Sequence, residues 1–302
     1  MIGTVYKSTG SWYKVKLENG KFIDCRLLGK FREKNIKSTN PVCVGDVVKL
    51  NNNKNTPQIE FILERKNYLI RKSVKLSKQF HIIASNIDIC FLIITVKNPE
   101  TSTMFIDRFL ASTFSYNIDT VLLFNKVDDI SDKEENTLKT FLATYKSAGY
   151  DCLKISGKKG INIDKLKLIM KGKSCVFSGH SGVGKSTLIN RLDSKINIKT
   201  LPISKSNLSG QHTTTFSEMH DLEFGSRIID TPGIKGFGLF DVSNFELKDF
   251  FKEFICVEQC KFNNCLHYNE PGCNVKILVE NGSISRSRYD NYIQLLEEIQ
   301  NS

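Results

Sequence analysis

The run CVFSGHSGVGKSTLIN at 175–190 constrains this chain more than any other stretch. Cys175-Val176-Phe177 is a short apolar run of the kind buried in a strand, and Thr187-Leu188-Ile189-Asn190 opens a helix. Between them Gly179, His180, Ser181, Gly182, Val183, Gly184, Lys185 and Ser186 fit G-x-x-x-x-G-K-[ST]. Strand, glycine loop and helix in that order make a site for phosphate groups, and Thr187, the residue after the motif, joins the GTP-binding candidates. The glycines let the backbone wrap closely and aim its N–H groups at phosphate oxygens. The helix N-terminus adds partial positive charge. Lys185 is placed to reach β- and γ-phosphates, and the Ser186 hydroxyl is a ligand for Mg²⁺. A glycine turn ahead of a core helix is the plain alternative, and it leaves the matching flanks unexplained.

The base is addressed by a second motif. Asn125-Lys126-Val127-Asp128 follows the apolar run Thr120-Val121-Leu122-Leu123-Phe124. A carboxylate at the end of a strand accepts both N–H groups on the Watson–Crick edge of guanine, and adenine offers no such pair, so Asp128 selects GTP over ATP. Asn125 and Lys126 brace that loop and pack on the base. Ser156-Gly157-Lys158, after Cys152-Leu153-Lys154-Ile155, supports guanine from its other side. Asp230-Thr231-Pro232-Gly233 follows the strand-like Ser226–Ile229. Asp230 is expected to hold Mg²⁺ through a water, and the Gly233 N–H to sense the γ-phosphate. From their position between the glycine loop and this motif, one of Thr213, Thr214 and Thr215 is expected on Mg²⁺, with Thr214 and Thr215 the candidates.

The order of these parts is unusual. The guanine motif comes first, then the Ser156 loop, the glycine loop, the threonines and Asp230. An ordinary GTPase starts with the glycine loop. The same sheet with the chain opened at a different loop, a circular permutation, accounts for this order. The γ-phosphate-sensing segment then leads straight into residues 241–302.

Of the net charge of +11, all belongs to residues 1–80, which hold 17 Lys/Arg and 6 Asp/Glu; the other 222 residues hold 26 of each. Such localisation points to a polyanionic partner more than an overall basic pI does, although a lysine-rich soluble surface gives the same count. No apolar run approaches 18 residues, so no membrane span is expected, and Met1–Gly10 lacks a leader-like apolar stretch. Nine scattered cysteines beside a nucleotide site suggest a reducing cytoplasm and metal binding rather than disulfides.

Residues 1–70 read as five short strands, Ile2–Lys7, Trp12–Leu17, Phe22–Leu28, Asp46–Leu50 and Ile59–Leu63, with turn signals at Gly10-Ser11 and at 18–21. A longer middle connection, 29–44, carries Lys30, Arg32, Lys34 and Lys37, which suits an OB-type β-barrel with a basic loop. Trp12, Tyr13 and Phe31 are candidates for RNA stacking or for the core. Residues 64–80 read as a basic linker, and Ile82–Val96 as one β-like run. Helices are expected over Met104–Ser115, Lys133–Ala148, Phe245–Phe254 and Ser287–Gln300. Asp107-Arg108 reads as a structural ion pair in preference to a partner surface. Strands alternating with helices over 81–235 indicate a parallel sheet. Cys260-x4-Cys265-x-His267-x5-Cys273 offers three thiolates and one imidazole, a full tetrahedral set for a structural Zn²⁺.

Taken together, these motifs resemble the circularly permuted, small-ribosomal-subunit-dependent GTPases of the RsgA (YjeQ) family over essentially the full length. The resemblance rests on Asn125–Asp128, Gly179–Thr187, Gly210–Thr215, Asp230–Gly233, the zinc set with Glu270-Pro271-Gly272-Cys273, and Arg288-Tyr289. Gln211 departs from the family's usual Arg. The resemblance implies a multidomain chain: an OB-type RNA-binding domain at 1–70, a permuted α/β P-loop GTPase domain at 71–240 and a mainly helical zinc domain at 241–302. It implies a cytoplasmic, monomeric GTPase that binds the small subunit and its rRNA late in maturation and acts as a checkpoint. Hydrolysis of GTP to GDP would be slow until the subunit stimulates it, in keeping with Ile234 where many GTPases carry a water-orienting Gln. His212 is the candidate to position or deprotonate the water, and Lys185, Asp230 and Gly233 complete the catalytic set. A GTP-dependent latch on another structured RNA is the alternative reading.

Overall fold

The computed structural model describes residues 1–28, 40–51, 56–72, 80–196, 217–230, 242–255 and 257–301. The chain divides into two compact units, and it crosses between them several times. One comprises Met1–Phe91, Asp164–Ser178 and Lys185–Gly236; the other comprises Leu92–Ile163, Gly179–Gly184 and Phe237–Ser302.

The first unit opens with β1 (Ile2–Ser8), β2 (Tyr13–Leu17), β3 (Phe22–Leu27), β4 (Val47–Asn51) and β5 (Gln58–Ile62). They pair in the order β1-β2-β3-β5-β4, and β4 returns to β1, so the sheet closes into a barrel. Only β3 and β5 run parallel. Alternation along each strand sends Val5, Tyr13, Val15, Cys25, Val48, Leu50 and Ile59 inward, where Val42 joins them. Tyr13 is therefore core. Trp12 is exposed, and Phe31 lies outside the described residues.

The segment read as a basic linker is structured at both ends. β6 (Tyr68–Lys72) pairs antiparallel with β7 (Phe80–Ser85). Arg65 does not extend into solvent. It donates through Nε and Nη2 to the wholly buried Asp46 carboxylate at 2.7 and 2.8 Å, which also accepts from Ser85 Oγ at 2.6 Å and Cys43 N at 2.9 Å. A buried carboxylate needs this many donors to be tolerated. The expected single run from 82 is two strands, β7 and β8 (Ile89–Ile94), parted at Asn86, whose φ is +53°. Asn86 Nδ2 donates to Gly45 O, and Asn86 Oδ1 accepts from Lys66 N, which holds the turn.

Later in the same unit, β11 (Ser174–Ser178) lies parallel to β13 (Ser226–Asp230), which pairs antiparallel with β12 (Glu218–Leu222). β12 in turn pairs with β1 of the barrel. α4 (Lys185–Leu192) buries Leu188, Ile189 and Leu192.

In the second unit, β9 (Thr120–Phe124) runs parallel to β10 (Asp151–Lys154). α1 (Thr103–Ser115) starts where Ser102 Oγ accepts from Phe105 N. α2 (Asp132–Ser147) starts with a capping box between Ser131 and Glu134. Caps of this kind contribute about 1 kcal/mol each. α3 (Ile163–Met170) starts on the last residue of the Leu92–Ile163 stretch and belongs to the first unit from Asp164 onward.

The expected helix over Phe245–Phe254 is broken. A 3₁₀ turn, Leu247–Phe250, stops at Phe251, which is extended (φ −104°, ψ 102°), and α5 (Lys252–Ile255) begins after it. Phe251 leaves helical geometry to pack fully buried against Phe254 and Tyr292. α6 (Asn274–Glu280) and α7 (Arg286–Gln300) complete this core, with Tyr289, Tyr292, Leu295 and Leu296 on the inner face of α7.

Asp107 and Arg108 do not pair with each other. Arg108 bonds Glu298, and Asp107 bonds the buried Arg288, so both are structural links from α1 to α7.

Candidate functional site

Asn125 is the organising side chain of the guanine motif. It ends β9 with 5 % of its surface exposed. Its Nδ2 donates to Val183 O at 2.8 Å, its Oδ1 accepts from Gly157 N at 3.1 Å, and its own N–H donates to Ile94 O. One side-chain amide thereby joins the glycine loop to the Ser156 loop, while the backbone of the same residue holds the end of β8. The fit is close on the loop side: a Cβ on Gly184, at φ +95°, would stand 2.5 Å from Asn125 Nδ2. At the other end of the loop a Cβ on Gly179 would stand 2.7 Å from Ile93 O. Both glycines are required by close approach of backbone and neighbour.

Lys126, at φ +64°, turns its ammonium inward, where it donates to Gly182 O at 2.7 Å and to Asn98 O. Burial pushes its pKa below the usual lysine range. Val127 N donates to Ile155 O. That leaves Asp128 as the exposed carboxylate at the tip of the motif. The Ser156 hydroxyl, followed by nearby backbone and lysines, holds its carboxyl below the usual carboxylate range. Ser156 is fully buried, and its Oγ accepts from Lys159 N.

Within the glycine loop, His180 stacks on Phe105 of α1, ring centroids 3.8 Å apart, and burial lowers its pKa. Ser181 is exposed, and Gly182 and Val183 carry the carbonyls that Lys126 and Asn125 hold. The chain then enters the first unit at Lys185. Lys185 and Ser186 open α4 half-buried, Thr187 is exposed, and Asp230 closes β13 half-buried. Each unit offers groups of a kind that suits part of a nucleotide or its cation. Loop N–H groups flanked by glycines suit phosphate. Ser186 and Asp230 offer the oxygen ligands that Mg²⁺ prefers. Ser178 Oγ, one residue ahead of Gly179, is buried with no hydrogen-bond partner among the described residues. His212, Thr213, Thr214, Thr215 and Gly233 lie outside the described residues.

The Cys/His set converges as its spacing predicts. The ligand atoms of Cys260, Cys265, His267 and Cys273 lie within 4.8 Å of one another. His267 Nδ1 stands 3.3, 3.5 and 3.6 Å from the sulfurs of Cys273, Cys265 and Cys260, and Cys260 Sγ lies 4.0 Å from Cys273 Sγ. A tetrahedral zinc with ordinary bond lengths separates S and N by about 3.5 Å and two sulfurs by about 3.8 Å. The cluster therefore fits zinc.

The frame around the cluster is polar and satisfied. Asn274 N donates to Cys260 Sγ and His267 N to Cys265 Sγ. The Glu270 carboxylate accepts from Leu266 N and Tyr268 N. Tyr289 and Tyr292 of α7 donate their hydroxyls to His267 O and Leu266 O at 2.7 and 2.6 Å.

Two features escape a reading of motifs. Phe105 carries no motif, yet it packs the loop's only ring. Asp107 sits among the buried residues Ile106, Phe109 and Leu110 of α1, and an acid on an apolar face signals a distant cation. That cation is Arg288, which also forms a two-pronged pair with Glu253 at 2.6 and 2.7 Å.

On the barrel, the outward rows of β2 and β3 carry aromatics under cations. The Arg26 guanidinium lies 4.2 Å from the Trp12 ring, and Lys14 and Lys16 flank Phe22 at 5.2 and 5.7 Å.

Comparison with known proteins finds relatives that cover nearly the whole chain. The RsgA N-terminal domain matches residues 2–58 and the RsgA GTPase domain matches residues 62–240. The small ribosomal subunit biogenesis GTPase RsgA of Christiangramia forsetii is 56% identical over 302 residues, covering 98% of this chain and 96% of that protein. Its counterpart in Flavobacterium johnsoniae is 53% identical, covering 98% and 93%. Among solved structures, YjeQ from Thermotoga maritima superposes with a TM-score of 0.84 at 35% identity, covering 100% of this chain and 99% of that one. YloQ, described as a circularly permuted GTPase, gives 0.78 at 29%, covering 99% and 95%. With a closed five-stranded barrel ahead of the guanine motif, the glycine loop after it, and a Cys/His cluster last, the chain belongs to the RsgA GTPase family.

Proposed function

We propose that this GTPase acts in the biogenesis of the small ribosomal subunit, binding the subunit and its rRNA in the cytoplasm as a monomer and checking a late state of maturation. The observation that carries the nucleotide half is Asn125, whose single amide joins the glycine loop to the Ser156 loop beside an exposed Asp128. Asp128 selects guanine, with Lys126, Val127 and Ser156 shaping its loop. Gly179, His180, Ser181, Gly182, Val183, Gly184 and Thr187 present the phosphate-facing backbone. Lys185 neutralises phosphate charge, and Ser186 and Asp230 hold Mg²⁺ with Thr214 or Thr215. Mg²⁺, when bound, offsets charge on the β- and γ-phosphates. Gly233 senses the γ-phosphate, and His212 positions the attacking water. Cys260, Cys265, His267 and Cys273 hold one structural zinc.

The partner half rests on the names of the relatives, on the charge of residues 1–80 and on the aromatic and basic outer rows of β2 and β3, a surface suited to stacking bases and pairing phosphates. The proposed division of labour is RNA binding by 1–70, GTP hydrolysis by 71–240 and zinc-dependent structure by 241–302.

The test is GTP turnover by the purified protein alone, with small subunits, and with large subunits as control. Stimulation by small subunits alone is expected. Equal stimulation by both would replace this reading with a general RNA-responsive GTPase. Tight GTP binding with no stimulation would favour a latch.

A further inference from the structure

The register of the first unit aligns five charged residues in one row. Asp24 of β3 lies opposite Lys14 of β2, Lys14 opposite Lys7 of β1, Lys7 opposite Glu218 of β12, and Glu218 opposite Asp230 of β13. Residues directly opposite on antiparallel strands project from the same face, with Cβ atoms about 5 Å apart. The barrel side of the row is thus basic where it meets two carboxylates. Like charges in such neighbours are destabilising. Lys7 Nζ answers the nearer one, bonding Glu218 Oε2 at 2.8 Å.

The pair has a chemical consequence. Glu218 carries the same hard oxygen donors as Asp230 on a longer side chain, one strand away. Left unpaired, it is a competing ligand for any divalent cation at Asp230. The other bridge to the barrel differs. Asp221 is held by Lys16 at 2.6 Å and by the Tyr6 hydroxyl at 2.7 Å, and its row partner on β13 is Arg227, a cation.

We propose that Lys7 is a positioning residue for the magnesium site at Asp230. It ties the Glu218 carboxylate toward the barrel and keeps a second, misplaced oxygen ligand off the cation. This rests on the reading of Asp230 given above.

The test uses full-length Lys7→Met, Glu218→Gln, the double variant, Lys7→Arg and a Lys16→Met control. Two quantities are read: the Mg²⁺ affinity of protein loaded with a fluorescent, non-hydrolysable GTP analogue, and GTP turnover at saturating Mg²⁺. In Lys7→Met, Mg²⁺ is expected to bind about threefold to fivefold tighter while turnover falls by a similar factor, the range of a half-exposed ion pair. Glu218→Gln in the same chain should cancel both shifts, and Lys7→Arg should keep the parent values.

A general loosening of the sheet would weaken affinity and turnover together, and that result overturns the proposal. So does an equal shift in Lys16→Met, or a shift that persists in the double variant. A parent protein that turns over GTP without Mg²⁺ would refute the reading of Asp230, and the Lys7 role with it.

Discussion

Arg288 Nη1 donates to Asp107 Oδ1 at 2.7 Å, joining α7 to α1 across 181 positions of chain. Both side chains are buried, the second Asp107 oxygen accepts from Asn291, and Phe251 lies 4.7 Å beneath the guanidinium. α1 is also the helix whose Phe105 stacks on His180 of the glycine loop. The helix thus touches the nucleotide loop near one end and the C-terminal helices along its length.

Removing the cation leaves the buried Asp107 and Glu253 carboxylates without their counter-charge, with Asn291 still on one Asp107 oxygen. Arg288→Met is expected to cost about 3–5 kcal/mol, the range for breaking a buried pair from one side. The triple variant with Asp107→Leu and Glu253→Leu should recover much of that loss, because no charge is then stranded. Urea unfolding followed by circular dichroism measures both. A loss under 1 kcal/mol in the single variant would show that the trio is not closed to water.

Asp128 titrates below the usual carboxylate range, chiefly through the Ser156 hydroxyl. A depressed pKa keeps the group ionised to lower pH, so guanine affinity is full above the ordinary carboxylate range and is lost as pH falls through the depressed value. Ser156→Ala should move that loss upward, toward about pH 4. Labelled GDP titrated between roughly pH 3 and 5 should show the variant weakening first on acidification. Superimposed curves would remove Ser156 from the base site. Asp128→Asn should lower GDP affinity by about 100-fold or more and favour xanthosine nucleotides, whose second carbonyl accepts from the amide.

The cluster at the C-terminal end predicts one zinc per chain by elemental analysis, and Cys265→Ser or Cys273→Ser should bring that to background. The four ligands span only 14 residues, and the segment between them is pinned by Tyr289 and Tyr292. Metal loss should therefore unfold the knuckle and loosen α6 and α7 first. Hydrogen exchange with and without chelator locates the effect. Uniform exchange across the chain would contradict a local structural role.

On the barrel, Trp12→Ala and Phe22→Ala should each weaken RNA binding by about 1–3 kcal/mol with the salt dependence intact, as expected for lost stacking. Lys14→Ala should instead flatten the dependence of affinity on salt by about one counterion. Filter binding across a salt series separates the two. Identical behaviour of the three variants would mean that the surface binds by charge alone.

Much of this architecture is written locally. The strand, glycine loop and helix at 174–192 are contiguous, so their geometry follows from adjacent residues. The zinc ligands crowd into one short segment for the same reason. The barrel strands show their alternation in isolation.

What stayed hidden depends on partners far along the chain. Asp107 beside Arg108 invites a local ion pair, and only the packing of α7 supplies Arg288 instead. Tyr68–Lys72 looks like charged linker because its strand partner begins at Phe80, and among Tyr68, Leu69 and Ile70 only Leu69 is fully buried. Phe245–Phe254 has helical spacing, but the core demands Phe251 at an angle that a continuous helix cannot provide. Trp12 and Tyr13 are chemically alike, and the pleat alone sends one out and the other in.

The pairing of β1 with β12 also bears on how this protein can be divided. A chain trimmed to begin after the barrel would lose β1, and the backbone groups of β12 that face it would become a sheet margin open to other molecules. Lys7 and Lys16 would go with it, leaving Glu218 without its ion-pair partner on that margin and Asp221 with only its row neighbour Arg227. Such a fragment is expected to self-associate, and any slow turnover it shows would reflect a raw edge as much as a missing RNA contact. Activity comparisons between whole and shortened chains are cleaner if the shortened one retains the first eight residues as a covering strand.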